Sequence, residues 1–216
     1  MTEELWLIHV TDNGFYLPNP FFHTEFFFSV FNIRPSRASK RCKAMEMSPN
    51  ANDILQQAAD RYGKQLYWHI RRLVVSHDDA EDALQETFIK IFTKAGSFRG
   101  EAAALEAWCY KIATNEALMQ LRKRTHAFQS LDALNGELTN LVVTESAPDA
   151  DRSSILFQQA ILQLSTQQRI AFNLRYYDEL PYDRIAVITG KSEGTLRTQY
   201  HYAVEKIKKY LKEHAI

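Results

Sequence analysis

The sequence predicts an all-α fold of two small helical domains joined by a flexible linker. Three observations carry this prediction. From Asp53 onward apolar residues recur at steps of three and four almost without interruption. Val, Ile and Thr are too scattered to build a sheet. The helical period then fades from Thr125 to Asp151, around Asn135, Gly136 and Pro148. At 216 residues the chain can hold one or two domains of roughly 100 residues each. The boundaries fall as an extension (1–47), a first domain (48–124), an acidic linker (125–152) and a second domain (153–216).

The extension reads unlike the rest. Phe15, Phe21, Phe22, Phe26, Phe27, Phe28 and Phe31 crowd a stretch holding Pro18, Pro20 and Pro35, with no helical or strand period. Met45 or Met47 is the expected true start, with the preceding residues an artefact of translation-start assignment. The other reading is a tail that packs on the domain or on a partner. Neither a signal peptide nor a membrane span is expected, because no run of about 18 apolar residues occurs and no basic segment precedes the phenylalanines.

The first helix carries Ile54, Ala58, Tyr62, Leu66, Ile70 and Leu73 as one stripe. A second helix is expected from Asp78, whose carboxylate can cap it with Glu81 as capping-box partner. Its inner face is Ala80, Ala83, Leu84, Thr87, Phe88 and Ile91. Gly96 and Gly100 bracket a turn, and a third helix over about Ala102 to Arg124 buries Leu105, Trp108, Ile112, Ala113 and Leu121. Past the linker, helices are expected over Ser154 to Leu164, Ser165 to Tyr177 with Gln168 closing a capping box, Pro181 to Thr189, and Ser192 to Lys212.

Charge is distributed, not absent. The 26 basic and 26 acidic residues cancel, so net charge offers no argument for nucleic-acid binding. Yet Gln129 to Asp151 holds five acids and no Lys or Arg, whereas Arg152 to Ile216 has ten bases against six acids. An acidic connector and a basic last domain are concealed in the zero. Cys42 and Cys109 are the only cysteines, too few for a disulfide framework and without zinc spacing, which suits a reducing cytoplasm.

Three constellations point to function. In the last domain a short helix with Ile185, Ala186 and Ile188 is followed by Gly190 as a left-handed stop and Ser192 as a cap, which is helix-turn-helix spacing. Leu196, Tyr200, Ala203, Ile207 and Leu211 form the core stripe of the second helix, leaving Glu193, Arg197, Thr198 and His201 on another face near its start, the part that enters a major groove. Arg197 can bond guanine or phosphate, Thr198 a thymine methyl or phosphate, and His201 can donate or accept. Lys206, Lys208, Lys209 and Lys212 can contact the DNA backbone, or simply complement the helix dipole.

The second constellation is DAEDALQETF, residues 79–88, where Asp79, Asp82, Gln85 and Glu86 share an outward face beside Ile89. Acids near a helix start commonly complement its dipole. Clustered with an exposed aliphatic, they suggest a docking surface for a basic partner. The third interleaves Phe98, Trp108, Tyr110 and Phe128 with Arg99, Lys111, Arg122, Lys123 and Arg124, a composition suited to unstacked bases and their phosphates. Trp108 reads as mostly structural, and Phe98, between two glycines, as the better candidate for a surface ring.

In order along the chain, DAEDALQETFIKIF, SFRG, LEAWCYKIATNEAL, an acidic linker, LSTQQRIAFNLRYYDELPYDRIA and KSEGTLRTQYHYAVEKI resemble the extracytoplasmic-function (ECF) sigma factors of bacterial RNA polymerase, within the sigma-70 family. The resemblance covers about Asp53 to Leu211. It implies a sigma-two helical bundle and a sigma-four helix-turn-helix domain, which together bind core polymerase and promoter DNA. It assigns Asp79, Asp82 and Glu86 to the clamp helices of the largest polymerase subunit, and the SFRG loop with Lys111 and Asn115 to melting and capture of the minus-ten element. Arg197, Thr198, His201 and Tyr202 then match positions facing the minus-thirty-five element. An anti-sigma partner is implied as well. Two departures stand out: Pro181 occupies a position where many relatives have a capping Ser, and Gln199 and Tyr202 replace bases common in the recognition helix.

No small-molecule substrate, cofactor or metal is expected. His69, His77, His126 and His201 have no ligand spacing and no Gly-rich phosphate loop occurs, so each histidine reads as a surface or capping group and the chain as no enzyme. The rival reading is an autonomous helix-turn-helix regulator that dimerises on a palindromic site, in which the acidic helix and the aromatic-basic segment have no obvious job.

Overall fold

A computed structural model describes residues 49–98, 100, 102–128, 138–140, 142 and 152–214. In chain order its elements are α1 (Pro49–Val74), α2 (His77–Lys94), a 3-10 turn (Ala95–Ser97), α3 (Ala102–Phe128), α4 (Arg152–Leu162), α5 (Thr166–Tyr176), α6 (Tyr182–Thr189) and α7 (Glu193–His214). The predicted all-α, two-domain fold is the one observed. The N-terminal extension and most of the linker lie outside the described residues.

The stripe read on α1 is its buried side: Ile54, Ala58, Leu66, Ile70 and Leu73 are buried, with Tyr62 packed at the edge. α1, α2 and α3 pack on one another in every pairing. The cap of α2 differs from the expectation. Ser76, not Asp78, is its N-cap: backbone φ −69° and ψ 135° place it outside the helix, and its hydroxyl accepts from the Asp79 N–H. Ser76 and Asp78 are both capping residues by type, and the helix begins where the earlier of them leaves its first turn for Asp78 and Asp79. Glu81 pairs with His77 at 3.1 Å instead of closing a capping box.

At the far end, α3 runs past the expected stop at Arg124 to Phe128, with the Thr125 hydroxyl donating to the Leu121 carbonyl at 2.8 Å. Residues 138–140, read as part of an extended linker, are helical. Leu138 explains this locally, for its side chain is wholly buried in the same apolar cluster as α1 and α3.

The second domain is capped as predicted at α5, where Ser165 and Gln168 form a reciprocal capping box. Pro181 occupies the N-cap of α6 and supplies no side-chain bond, one place earlier than the first-turn position its ring also suits. Gly190 ends α6 at φ 71°, a left-handed conformation that favours glycine, and the Ser192 hydroxyl accepts from the Thr195 N–H to start α7. Phe172 centres this domain, stacked on Tyr176 at 5.0 Å and on Tyr200 at 5.8 Å between ring centroids.

The two domains also pack on each other, which periodicity could not foretell. α6 lies against α3 and α5 against α1. One buried cluster runs from Leu66 and Ile112 in the first domain through Ile170, Ile185 and Leu196 in the second.

Candidate nucleic-acid and partner interface

α7 presents the recognition face. Leu196, Ala203 and Ile207 are buried, which turns Glu193, Arg197, Thr198, His201 and Tyr202 outward, all of them exposed. Arg197 is held from two sides. Its Nη2 lies 3.3 Å from a Glu193 carboxylate oxygen, and its guanidinium sits 4.4 Å from the Tyr182 ring centroid, a cation–π arrangement. The Arg175 guanidinium lies 5.2 Å from the same ring. Tyr182 was not among the sequence candidates; an aromatic at the first turn of a helix-turn-helix is the only signal that could have marked it. The Thr198 hydroxyl donates to the Gly194 carbonyl at 3.0 Å.

The lysines of α7 differ from one another. Lys208 pairs with Glu205 at 3.2 Å and Lys209 with Glu213 at 3.8 Å, both fully on the surface, while Lys206 donates to Gln168 Oε1 at 3.2 Å. All three are exposed, and exposed pairs of this kind are weak enough to yield to a phosphate.

The acidic face of α2 divides. Asp79 turns toward α3 and forms an ion pair with Arg124, so it does not stand free beside the others; helical register alone could not show the arginine returning 45 residues later, from 79 to 124. Asp82, Gln85, Glu86 and Ile89 are exposed, Ile89 to 42%. Next to Glu86 a groove between α2 and α3 is lined by Lys90, Glu116, Met119 and Lys123. Lys90 Nζ donates to both Glu116 carboxylate oxygens at 2.6 Å, and Met119 is 43% exposed. Neither Lys90 nor Met119 was singled out from the sequence.

On α3, Lys111, Asn115 and Arg122 are exposed and fall at spacings of four and seven, one face of a helix. The rings expected beside them are occupied elsewhere. Tyr110 is buried. Phe98 is half-buried with its ring tilted on Trp108 at 4.9 Å, packed into the core edge instead of standing free as a surface ring. A Cβ at Gly100 would come within 2.7 Å of that Phe98 ring, so a residue without a side chain is what fits against it. Arg99 and the Phe128 side chain lie outside the described residues.

His69 overturns its reading as a surface or capping group. It is wholly buried, with Nδ1 3.0 Å from Asp178 Oδ2 and Nε2 2.9 Å from Thr114 Oγ1. Arg72 Nη1 donates to Asp178 Oδ1 at 3.0 Å. Burial drives the Tyr110 hydroxyl pKa far above its ordinary value, with the Asp178 and Glu106 carboxylates adding to the shift. Burial likewise raises Tyr177, lifts Cys109 to about 12 and lowers Arg169 to about 10. Among the described residues no cluster of three His, Cys, Asp or Glu side chains could hold a metal ion, and no helix is long and apolar enough to cross a membrane.

Two family patterns match these domains in order: Sigma-70 region 2 over residues 58–127 and Sigma-70, region 4 over residues 154–207. The chain is 32% identical over 160 residues to the RNA polymerase sigma-H factor of Pseudomonas aeruginosa, covering 70% of this chain and 82% of that protein. It is 27% identical over 183 residues to the ECF sigma factor SigW of Bacillus subtilis, covering 81% and 96% respectively. With the ECF sigma factor SigE of Mycolicibacterium smegmatis the identity is 28% over 77% of this chain, which spans 63% of that protein's length. A solved structure of the sigma factor RpoE of Bartonella quintana, in complex with the anti-sigma factor NepR, aligns with a TM-score of 0.58 and 28% identity, over 73% of this chain and 96% of that one.

Two helical domains in this order, the second built around a helix-turn-helix, define a promoter-specific transcription initiation factor. The chain belongs to the extracytoplasmic-function group of the sigma-70 family.

Proposed function

We propose that the chain binds core RNA polymerase through the exposed part of α2 and delivers two DNA-reading surfaces to one promoter. Asp82, Gln85, Glu86 and Ile89 dock on the basic clamp helices of the largest subunit, with Asp79 held behind them by Arg124. Glu193, Arg197, Thr198, His201 and Tyr202 read the minus-thirty-five duplex, with Lys206, Lys208 and Lys209 on phosphates. Lys111, Asn115 and Arg122, with Phe98 and Arg99 before them in the sequence, capture the melted minus-ten strand. The polymerase makes every bond; the chain supplies location and sequence choice and acts where core polymerase and DNA are, in the cytoplasm. A partner like that of the RpoE relative, an anti-sigma factor, restrains it.

The observation that carries this reading is the pairing of the region 2 and region 4 patterns with an Arg197, Thr198, His201 and Tyr202 face left open at the amino-terminal half of α7. Charge complementarity, not apolar area, supports the α2 contact. The test is copurification with core polymerase. Asp82→Lys with Glu86→Lys is expected to lose core binding while keeping wild-type helicity, and a doubly reversed chain that still copurifies would remove the docking assignment.

A further inference from the structure

We propose that α5 carries a buried anion site, in which the Arg169 guanidinium and the Asn173 amide hold a small monovalent anion of the chloride class. The inference concerns the interior of the second domain and stands or falls independently of the promoter reading.

Arg169 is the anomaly on which the site is built. It is 3% exposed, and its Nε and Nη1 are buried with no hydrogen-bond partner among the described residues. A guanidinium keeps its proton at neutral pH; burial lowers Arg169, but only to about 10. A full positive charge therefore sits inside the fold, and no carboxylate among the described residues pairs with it. Other buried ions of the chain are treated differently. Glu116, 5% exposed, takes Lys90 at 2.6 Å, and Asp178 takes Arg72 at 3.0 Å.

Asn173 follows four residues later on α5, a spacing at which side chains share a face. It is wholly buried, and both its Nδ2 and its Oδ1 lack a partner. Ile170, Ala171, Phe172 and Leu174 around it in the sequence are buried and apolar, so their side chains offer the pair nothing polar. α7 packs on α5 and carries a further buried orphan, the acceptor Gln199 Oε1.

The balance of these groups selects the ligand. Arg169 Nε, Arg169 Nη1 and Asn173 Nδ2 are donors in search of an acceptor. Water alone could meet them, but it would leave the charge uncompensated, and a buried unpaired charge is far more costly than a buried unpaired polar group. A metal cation is repelled. An anion satisfies the donors and the charge together, and a single buried guanidinium matches a single negative charge. Asn173 Oδ1 and Gln199 Oε1 are then served by water accompanying the ion. The surrounding domain favours entry, with ten bases against six acids from Arg152 to Ile216. Because the site exists only in the folded domain, its occupant stabilises that fold by mass action.

The test follows thermal melting of the full chain as chloride replaces glutamate at constant ionic strength, glutamate being too large to enter. The wild-type midpoint is expected to rise with chloride. Arg169→Met removes the charge while keeping an unbranched stem, and is expected to fold with wild-type helicity and to lose the chloride dependence. Asn173→Asp supplies an internal carboxylate one turn from the guanidinium; it too is expected to lose the dependence, and in glutamate to melt above the wild type. Position is read by anomalous diffraction from full-chain crystals grown in bromide, with a peak expected beside the Arg169 guanidinium and Asn173 Nδ2. A wild-type midpoint indifferent to chloride, an equal rise in all three proteins, or bromide crystals with only water or a carboxylate side chain at Arg169 would overturn the site.

Discussion

Arg197 is the side chain whose change is most informative. It is exposed, and the Tyr182 ring and Glu193 bias its direction. Arg197→Ala is predicted to cost about 1–3 kcal/mol of discrimination at one promoter base pair, measured as the ratio of transcription from matched and mismatched minus-thirty-five sequences. Equal loss on every sequence would mark a phosphate contact instead. Gly100→Ala is predicted to lower the melting temperature, because its methyl would meet the Phe98 ring and the Ala104 Cβ; overpacking of this kind costs about 1–3 kcal/mol.

Cys109 gives a pH prediction. Burial first, and Glu106 second, raise its thiol from the ordinary 9.0 to about 12. The folded chain thus holds a proton that the unfolded chain gives up, so this contribution to stability is complete below pH 9.0 and is lost as pH rises toward about 12. Denaturant midpoints measured across that window should fall, and less steeply for Cys109→Ala. At neutral pH the native thiol should resist alkylation until the chain unfolds.

The residues that sequence reading misplaced share a cause. His69 meets Asp178 across 109 positions of chain, and Asp79 meets Arg124 from another helix. Helical register assigns a side chain to a face of its own helix. It carries no information about which helix covers that face.

At the scale of elements the sequence was far more legible. Helix starts were marked by Ser165 and Ser192 and a stop by Gly190, because capping and left-handed turns are decided within four residues. The helix-turn-helix was visible for that reason. The start of α2 was misassigned by the same local chemistry, since Ser76 and Asp78 both qualify as caps. Replacing Ser192 by Ala is predicted to destabilise the second domain by about 1 kcal/mol, seen in hydrogen exchange at the first turn of α7 ahead of α1. Protection unchanged at Thr195, whose N–H the Ser192 hydroxyl accepts, would show that the cap contributes nothing.

For the whole molecule, the two domains were readable from composition and period, but their contact was not. Apolar residues such as Ile185 and Ile188 satisfy either a domain's own core or a neighbour's, and periodicity cannot distinguish the two. Balanced charge, 26 against 26, predicts that the isolated chain binds DNA weakly and with steep salt dependence, since non-specific affinity depends on phosphate neutralisation. Tight, sequence-specific binding without polymerase at physiological salt would argue for an autonomous regulator.

The most direct test of promoter-directed initiation is reconstituted transcription: purified core polymerase, the full chain and fragments of its genome, with start sites mapped. New, discrete start sites that depend on the chain, and that fade with Arg197→Ala or with Asp82→Lys and Glu86→Lys, are predicted. Transcripts identical with and without the chain would contradict the account.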